Sequence, residues 1–189
     1  MLTADHCGGT GEAWRSGQAS GSWPVGTLQS GNSGGSDIRR LGGQSYQGNT
    51  YAGNYNTDEY ITMKGAYYAV TGDIVCPSGS YSGLNCDARV QSTNDVICYL
   101  HGSCYNNLVT VVSISNSPLF GNGDSGGPII VGAIGGGALG TGIISGINTQ
   151  ARMKSPATVW QQGAAEFAQR SATLRTFVRS STTTRVGFR

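Results

Sequence analysis

Lysine is almost missing from this chain. Two lysines in 189 residues, and a formal charge of +2 from 12 basic and 10 acidic side chains, leave no basic run that could track a phosphate backbone. Nucleic acid is therefore excluded as an expected partner. The arginines thicken only at Arg170, Arg175, Arg179, Arg185 and Arg189, where a solvated tail is the cheaper explanation. No apolar run approaches the length of a membrane-spanning helix, so no membrane partner is expected either. Histidine is equally scarce, with only His6 and His101, and the cysteine spacings are too wide for a zinc site. No metal is expected. A basic segment followed by an apolar one, the mark of an export signal, is also lacking at the start.

Glycine fills the space instead. The 31 glycines, with abundant Ser, Thr and Asn, describe short strands joined by tight turns, and the expected class is all-β. From residue 60 onward YITM, YYAVTGDIVC, DARVQS, DVICYL, NLVTVVSI, PIIVGAI and TGIISGIN read as antiparallel strands. GGGALG, between the last two, reads as a hairpin or surface loop. Before them, residues 8 to 58 are polar and glycine-rich, with isolated anchors at Trp14, Trp23, Leu28, Ile38 and Leu41. Near the end, Ser155 and Pro156 form a helix-start signal, and Trp160, Ala164, Phe167 and Ala168 recur at helical spacing, which predicts a helix and tail over about 155–178. Cys76 with Cys86, and Cys98 with Cys104, form two close pairs that suit disulfide-closed hairpins in an oxidising, extracellular compartment. Cys7 is left unpaired.

The most specific stretch is GNGDSGGPII, residues 121–130. A serine between an acid and two glycines, followed by a proline and an apolar strand, is a tight turn presenting one hydroxyl above a rigid sheet. The glycines let the amides of Gly123 and Ser125 converge as donors around a developing oxyanion. Serine needs a base to remove its proton. His101, in CYLHGSC, reads as an exposed bystander at a hairpin tip, which leaves His6 in TADHC.

TADHC and GDSGGP together resemble the chymotrypsin-like serine peptidases, and in particular the small secreted bacterial branch that includes alpha-lytic protease and the streptogrisins. VCPSGSYSGLNC and GIISG are similar to that family's disulfide-closed loop and substrate-binding strand. The resemblance spans about residues 2–149. It implies two antiparallel six-stranded Greek-key barrels in a single peptidase domain, with about 1–65 in the N-terminal barrel and about 66–150 in the C-terminal one. It also implies a triad of His6, Ser125 and an aspartate. Asp37, in GGSDIRRL, is the expected third member, and Asp58 in NTDEY is its rival. Asp124 has the place of a buried structural acid, for which Arg39, Arg40 or Arg89 could supply a partner. Ser145, Gly146 and Ile147 should pair with an extended peptide. Ile147, where many relatives carry glycine, together with Leu119, where trypsin-like members keep aspartate, implies cleavage after small or medium apolar residues.

The family carries strands ahead of the histidine, one of them with a cysteine that bridges to the position of Cys7, and only five residues stand there in this sequence. The expectation is a truncated N-terminus and an incomplete first barrel. The functional expectation is a secreted, monomeric serine endopeptidase acting on peptide or protein without cofactor. A catalytically inactive homologue or fragment that binds peptides in the same cleft is the alternative. A secreted carbohydrate-binding domain would explain the composition but not GNGDSGGP.

Overall fold

The computed structural model describes residues 1–15, 23–30, 35–53, 59–99 and 102–147. The expected C-terminal helix, the arginines beyond residue 169, His101 and Asp58 lie outside them. The described chain is nearly all β, in two sheets of four and eight strands. This is the all-β architecture anticipated from the glycine-rich, strand-and-turn pattern. One short helical turn, Asp5–Cys7, is the exception.

The smaller sheet contains β1 (Leu2–Thr3), β2 (Ala13–Arg15), β3 (Pro24–Leu28) and β4 (Arg39–Gly42), in the order β1-β4-β3-β2 and antiparallel throughout. Its inward-facing residues Trp14, Val25, Leu28 and Leu41 pack with Ala4 and Cys7 into one core. Trp23, expected as an anchor, is exposed instead.

The larger sheet runs β10-β9-β7-β11-β12-β6-β5, with β8 paired to β7. Its strands are β5 (Asn49–Tyr51), β6 (Tyr60–Ala66), β7 (Ile74–Gly79), β8 (Gly83–Leu84), β9 (Ala88–Cys98), β10 (Cys104–Ser113), β11 (Pro128–Gly132) and β12 (Ala138–Ile143). Val75, Ala88, Val90, Val111, Leu119, Phe120, Ile144 and Ile147 form its core. β5 and β6, read from sequence with the N-terminal half, hydrogen-bond into this sheet, β6 through a parallel pairing with β12. DARVQS and DVIC, read as two strands, are one. Asn94 and Asn107 take left-handed conformations in β9 and β10, and the register between these strands shifts around Leu108, so the hairpin bends without breaking. YYAV lies outside any strand because β7 begins only at Ile74.

Where the two cores meet, consecutive residues face opposite ways. Ile143 packs against the smaller core and Ile144 lies in the larger one. This is the period-two alternation of an extended chain, used here to thread one segment between two interiors. A register shift between Ile129 and Ile130 in the β11–β12 pairing, with Thr141 Oγ1 donating to the Ile129 carbonyl, sets the phase of that alternation. Ser145 follows directly.

Candidate active site

His6 sits in the short helical turn after β1, and Asp37 lies just before β4, which is the neighbour of β1 in the sheet. The pairing of β1 with β4 therefore brings together residues 31 apart in sequence. His6 Nδ1 is 2.7 Å from Asp37 Oδ2, and the His6 amide donates to Asp37 Oδ1 at 3.0 Å. Since a carboxylate only accepts, this contact places a proton on Nδ1, so that in the neutral imidazole Nε2 is the basic nitrogen. Asp37 is 1% exposed. Burial, the largest single influence, lowers the His6 pKa, but the hydrogen bonds to Asp37 and Cys7 and the charges of both together outweigh it, and the net shift is upward from 6.5 to about 10.

Ser125 is buried on the turn before β11. That turn is fastened to the seam between the cores: the Gly126 amide donates to the Ile144 carbonyl at 2.8 Å, and the Ile144 amide donates to the Gly127 carbonyl at 2.7 Å. The next residue, Ser145, donates its hydroxyl to Asp37. Gly126 has φ +81°, and a Cβ there would collide with Thr3 Oγ1 and crowd the Ala4 amide. The residue after Ser125 thus abuts the segment that leads into His6, and only glycine allows the approach. Thr3 Oγ1 itself is buried without a hydrogen-bond partner.

Asp124, fully buried beside Ser125, is held in a way the sequence did not suggest. In place of an arginine, it accepts from the Tyr81 amide at 2.7 Å, the Ser82 amide at 3.4 Å, the Ser82 hydroxyl at 2.6 Å and the Gly121 amide at 2.8 Å. Arg39, one expected partner, is instead paired with Asp5 at 2.5 Å and with Thr10 Oγ1 at 3.0 Å. Tyr81 and Ser82 belong to the loop closed by the Cys76–Cys86 disulfide. Ser80, in the same loop, donates to the Gly123 carbonyl at 2.9 Å and so fixes the peptide that follows Gly123. A Cβ at Gly79 would overlap the Asp124 carboxyl, which explains a glycine at that point of β7.

Ser145, Gly146 and Ile147, the expected peptide-binding edge, follow β12 as extended chain outside any strand. Ser145 has a second engagement that the sequence did not reveal, because its hydroxyl serves Asp37. Ile147 and Leu119 both belong to the larger core, as does Phe120. A cavity of about 120 Å³ is lined by Asp37, Tyr99 and Ser145 together with Val75, Phe120 and Ile144.

The second disulfide, Cys98–Cys104, closes the β9–β10 hairpin, and Cys7 is a free buried thiol. Tyr99, just inside that hairpin, donates to Asp37 Oδ2 at 3.2 Å and also contacts the Ser145 hydroxyl. Sequence reading missed it. The available signal was its place next to Cys98, since a disulfide at the mouth of a hairpin fixes the residue beside it. Among the described residues, no group of three or more His, Cys, Asp or Glu side chains could hold a metal ion, and no helix is long and apolar enough to cross a membrane.

No family model matches the sequence, and no curated protein matches it. Solved structures do. A Nocardiopsis protease is 26% identical with a TM-score of 0.57, over 86% of this chain and 77% of its own. Thermobifida fusca protease A is 26% identical with a TM-score of 0.56, over 88% and 79%. Cellulomonas bogoriensis chymotrypsin is 26% identical with a TM-score of 0.56, over 85% and 77%. With two β-sheets meeting at a His-Asp pair beside a GDSGG turn, this chain has the fold of the bacterial chymotrypsin-like serine proteases, and they are its structural relatives.

Proposed function

We propose that the protein is a serine endopeptidase, with Ser125 as nucleophile, His6 as general base and then acid, and Asp37 as the carboxylate that orients the imidazole. The observation that carries this reading is the contact of His6 Nδ1 with a buried Asp37, at the seam to which the Ser125 turn is fastened. His6 takes the Ser125 proton as the hydroxyl attacks the peptide carbonyl, and the Gly123 and Ser125 amides stabilise the oxyanion. The imidazolium, held by Asp37, then gives its proton to the leaving amine. The resulting acyl-enzyme is hydrolysed by water through the same base.

The backbone of Ser145, Gly146 and Ile147 would pair with an extended substrate. Cleavage after small or medium apolar residues is read from Ile147 and Leu119, both of which lie in the apolar core of the larger sheet. The two disulfides favour an extracellular setting. Labelling by a fluorophosphonate probe, beside Ser125→Ala, is the direct test. Labelling lost in the variant supports the reading, and a folded protein that never labels leaves the inactive peptide-binding homologue in its place.

A further inference from the structure

We propose that Tyr99, carried in by the disulfide-closed β9–β10 hairpin, is a positioning residue for the His6–Asp37 pair. The inference rests on the peptidase reading above and deepens it.

Three side chains converge on one oxygen. Asp37 Oδ2 receives His6 Nδ1 at 2.7 Å, the Tyr99 hydroxyl at 3.2 Å and the Ser145 hydroxyl. His6 comes from the smaller sheet, Ser145 from the seam, and Tyr99 from the far end of the larger sheet, 62 residues along the chain from Asp37. Tyr99 is 6% exposed, so its hydroxyl has little access to solvent and depends on these partners. Its ring meets His6 edge-on, with centroids 6.2 Å apart, and lies 5.1 Å from that of Tyr105. Tyr105 in turn reaches Asp5 at 3.4 Å, in the helical turn that contains His6. The hairpin therefore touches both members of the pair and the turn beneath them.

The disulfide makes this reach possible. Cys98–Cys104 closes the hairpin immediately before Tyr99, and the Tyr99 amide donates to the Ser103 carbonyl at 2.7 Å. A side chain on a free hairpin end would sample many positions, whereas a closed ring of this size leaves few. Burial, followed by the Asp37 charge, raises the Tyr99 pKa, so its hydroxyl stays a donor throughout the working pH range. The titratable and charged groups around the pair are Cys7, Tyr99, Tyr105, Asp5 and Arg39. Of these, Tyr99 bonds directly to the Asp37 carboxylate.

Tyr99 has a definable effect on the chemistry. Its donor spreads part of the Asp37 charge away from His6 and limits how far the carboxylate raises the imidazole. It also fixes the carboxylate plane, and hence the direction of Nε2 toward Ser125.

Tyr99→Phe keeps the ring and deletes only the hydroxyl. It is expected to lower kcat about tenfold with KM within about twofold, as befits a group acting through another, and to shift the rising limb of kcat against pH upward. The double variant Cys98→Ala/Cys104→Ala should move both readouts in the same direction by a smaller amount. A companion measurement needs no turnover: NMR titration of His6 in the Ser125→Ala background, with and without Tyr99→Phe, is expected to show the same upward shift. Unchanged kcat and an unchanged His6 titration in folded Tyr99→Phe overturn the proposal. If the fluorophosphonate labels the wild-type protein while Tyr99→Phe is silent in every readout, the positioning role fails and the peptidase reading stands. If the wild-type protein does not label, the peptidase reading fails and takes the positioning role with it.

Discussion

Two buried carboxylates flank the site, and the chain treats them alike in means and differently in purpose. Asp124 lies behind the Ser125 turn and Asp37 behind His6, each within 1% of complete burial. Each is reached by a disulfide-closed loop: Tyr81 and Ser82 from the Cys76–Cys86 loop for Asp124, and Tyr99 from the Cys98–Cys104 hairpin for Asp37. The difference is in the partners. Asp124 is satisfied by amides and a hydroxyl, none of which exchanges a proton near neutral pH, whereas Asp37 faces an imidazole. Neutral donors make a carboxylate an architectural anchor, while a titratable partner couples its charge to a proton equilibrium. A buried guanidinium would have done the first job as well, but at a larger desolvation cost for both ions.

The comparison can be broken at either acid. Asp37→Asn is expected to have the largest effect, a fall in kcat of about three to four orders of magnitude, because the amide can favour the wrong imidazole tautomer, with a smaller loss of stability from the donors it would face. Steady-state kinetics with thermal melting on the same sample checks both halves. Asp124→Asn should reverse the emphasis. An amide NH2 turned toward the Tyr81, Ser82 and Gly121 donors leaves buried groups unpaired, with a stability loss of about 2–4 kcal/mol read in urea unfolding. Gly79→Ala probes the same anchor from the other side. Its Cβ would displace the Asp124 carboxyl, at a cost of about 1–3 kcal/mol, and the displaced turn should lower the rate of fluorophosphonate labelling.

The protonation of His6 sharpens the contrast. Its folded-state pKa is raised above its unfolded value of 6.5, so its contribution to stability is fully present below 6.5 and is lost as pH rises through the folded value. Catalysis needs the neutral ring, so activity should grow over the same interval in which that stability declines. Unfolding and kcat/KM measured against pH on one preparation would show opposing trends. A rising activity limb at or below 6.5 would refute the upward shift. The smallest effect is expected at Arg39→Ala. The side chains of the Asp5–Arg39 pair are each 13% exposed, between surface and interior, and its loss should cost about 1–2 kcal/mol.

What the sequence disclosed followed from locality. The candidates His6 and Ser125 stand in short motifs whose neighbours mark them, and Asp37, which the structure puts in contact with His6, is one strand-pairing step away. The disulfide pairs were legible because each closes a short hairpin, and the strand-rich class because β-branched runs alternate with turn residues. The partners of the buried acids were not. Ser82 reaches Asp124 across 42 residues and Tyr99 reaches Asp37 across 62, and no local pattern encodes a side chain's reach between sheets. The sequence offered Arg39, Arg40 and Arg89 for Asp124 without choosing among them, and for a related reason it was silent on the groups that hold this acid in the structure. Amides supply much of its hydrogen bonding, and every non-proline residue has an amide, so composition gives no sign of them.

The seam at Ile143 and Ile144 makes length, rather than identity, the property that β12 cannot vary. Each of these two residues faces its own core only because the Thr141 irregularity sets the count. Removing or adding a single residue between Thr141 and Ser145 would exchange the faces, turning the Ser145 hydroxyl away from Asp37 and both isoleucines out of their interiors. Substitutions along this stretch are errors of spelling, which packing can absorb. An insertion is an error of reading frame, and it would reach both cores and the surroundings of the His6–Asp37 pair at once.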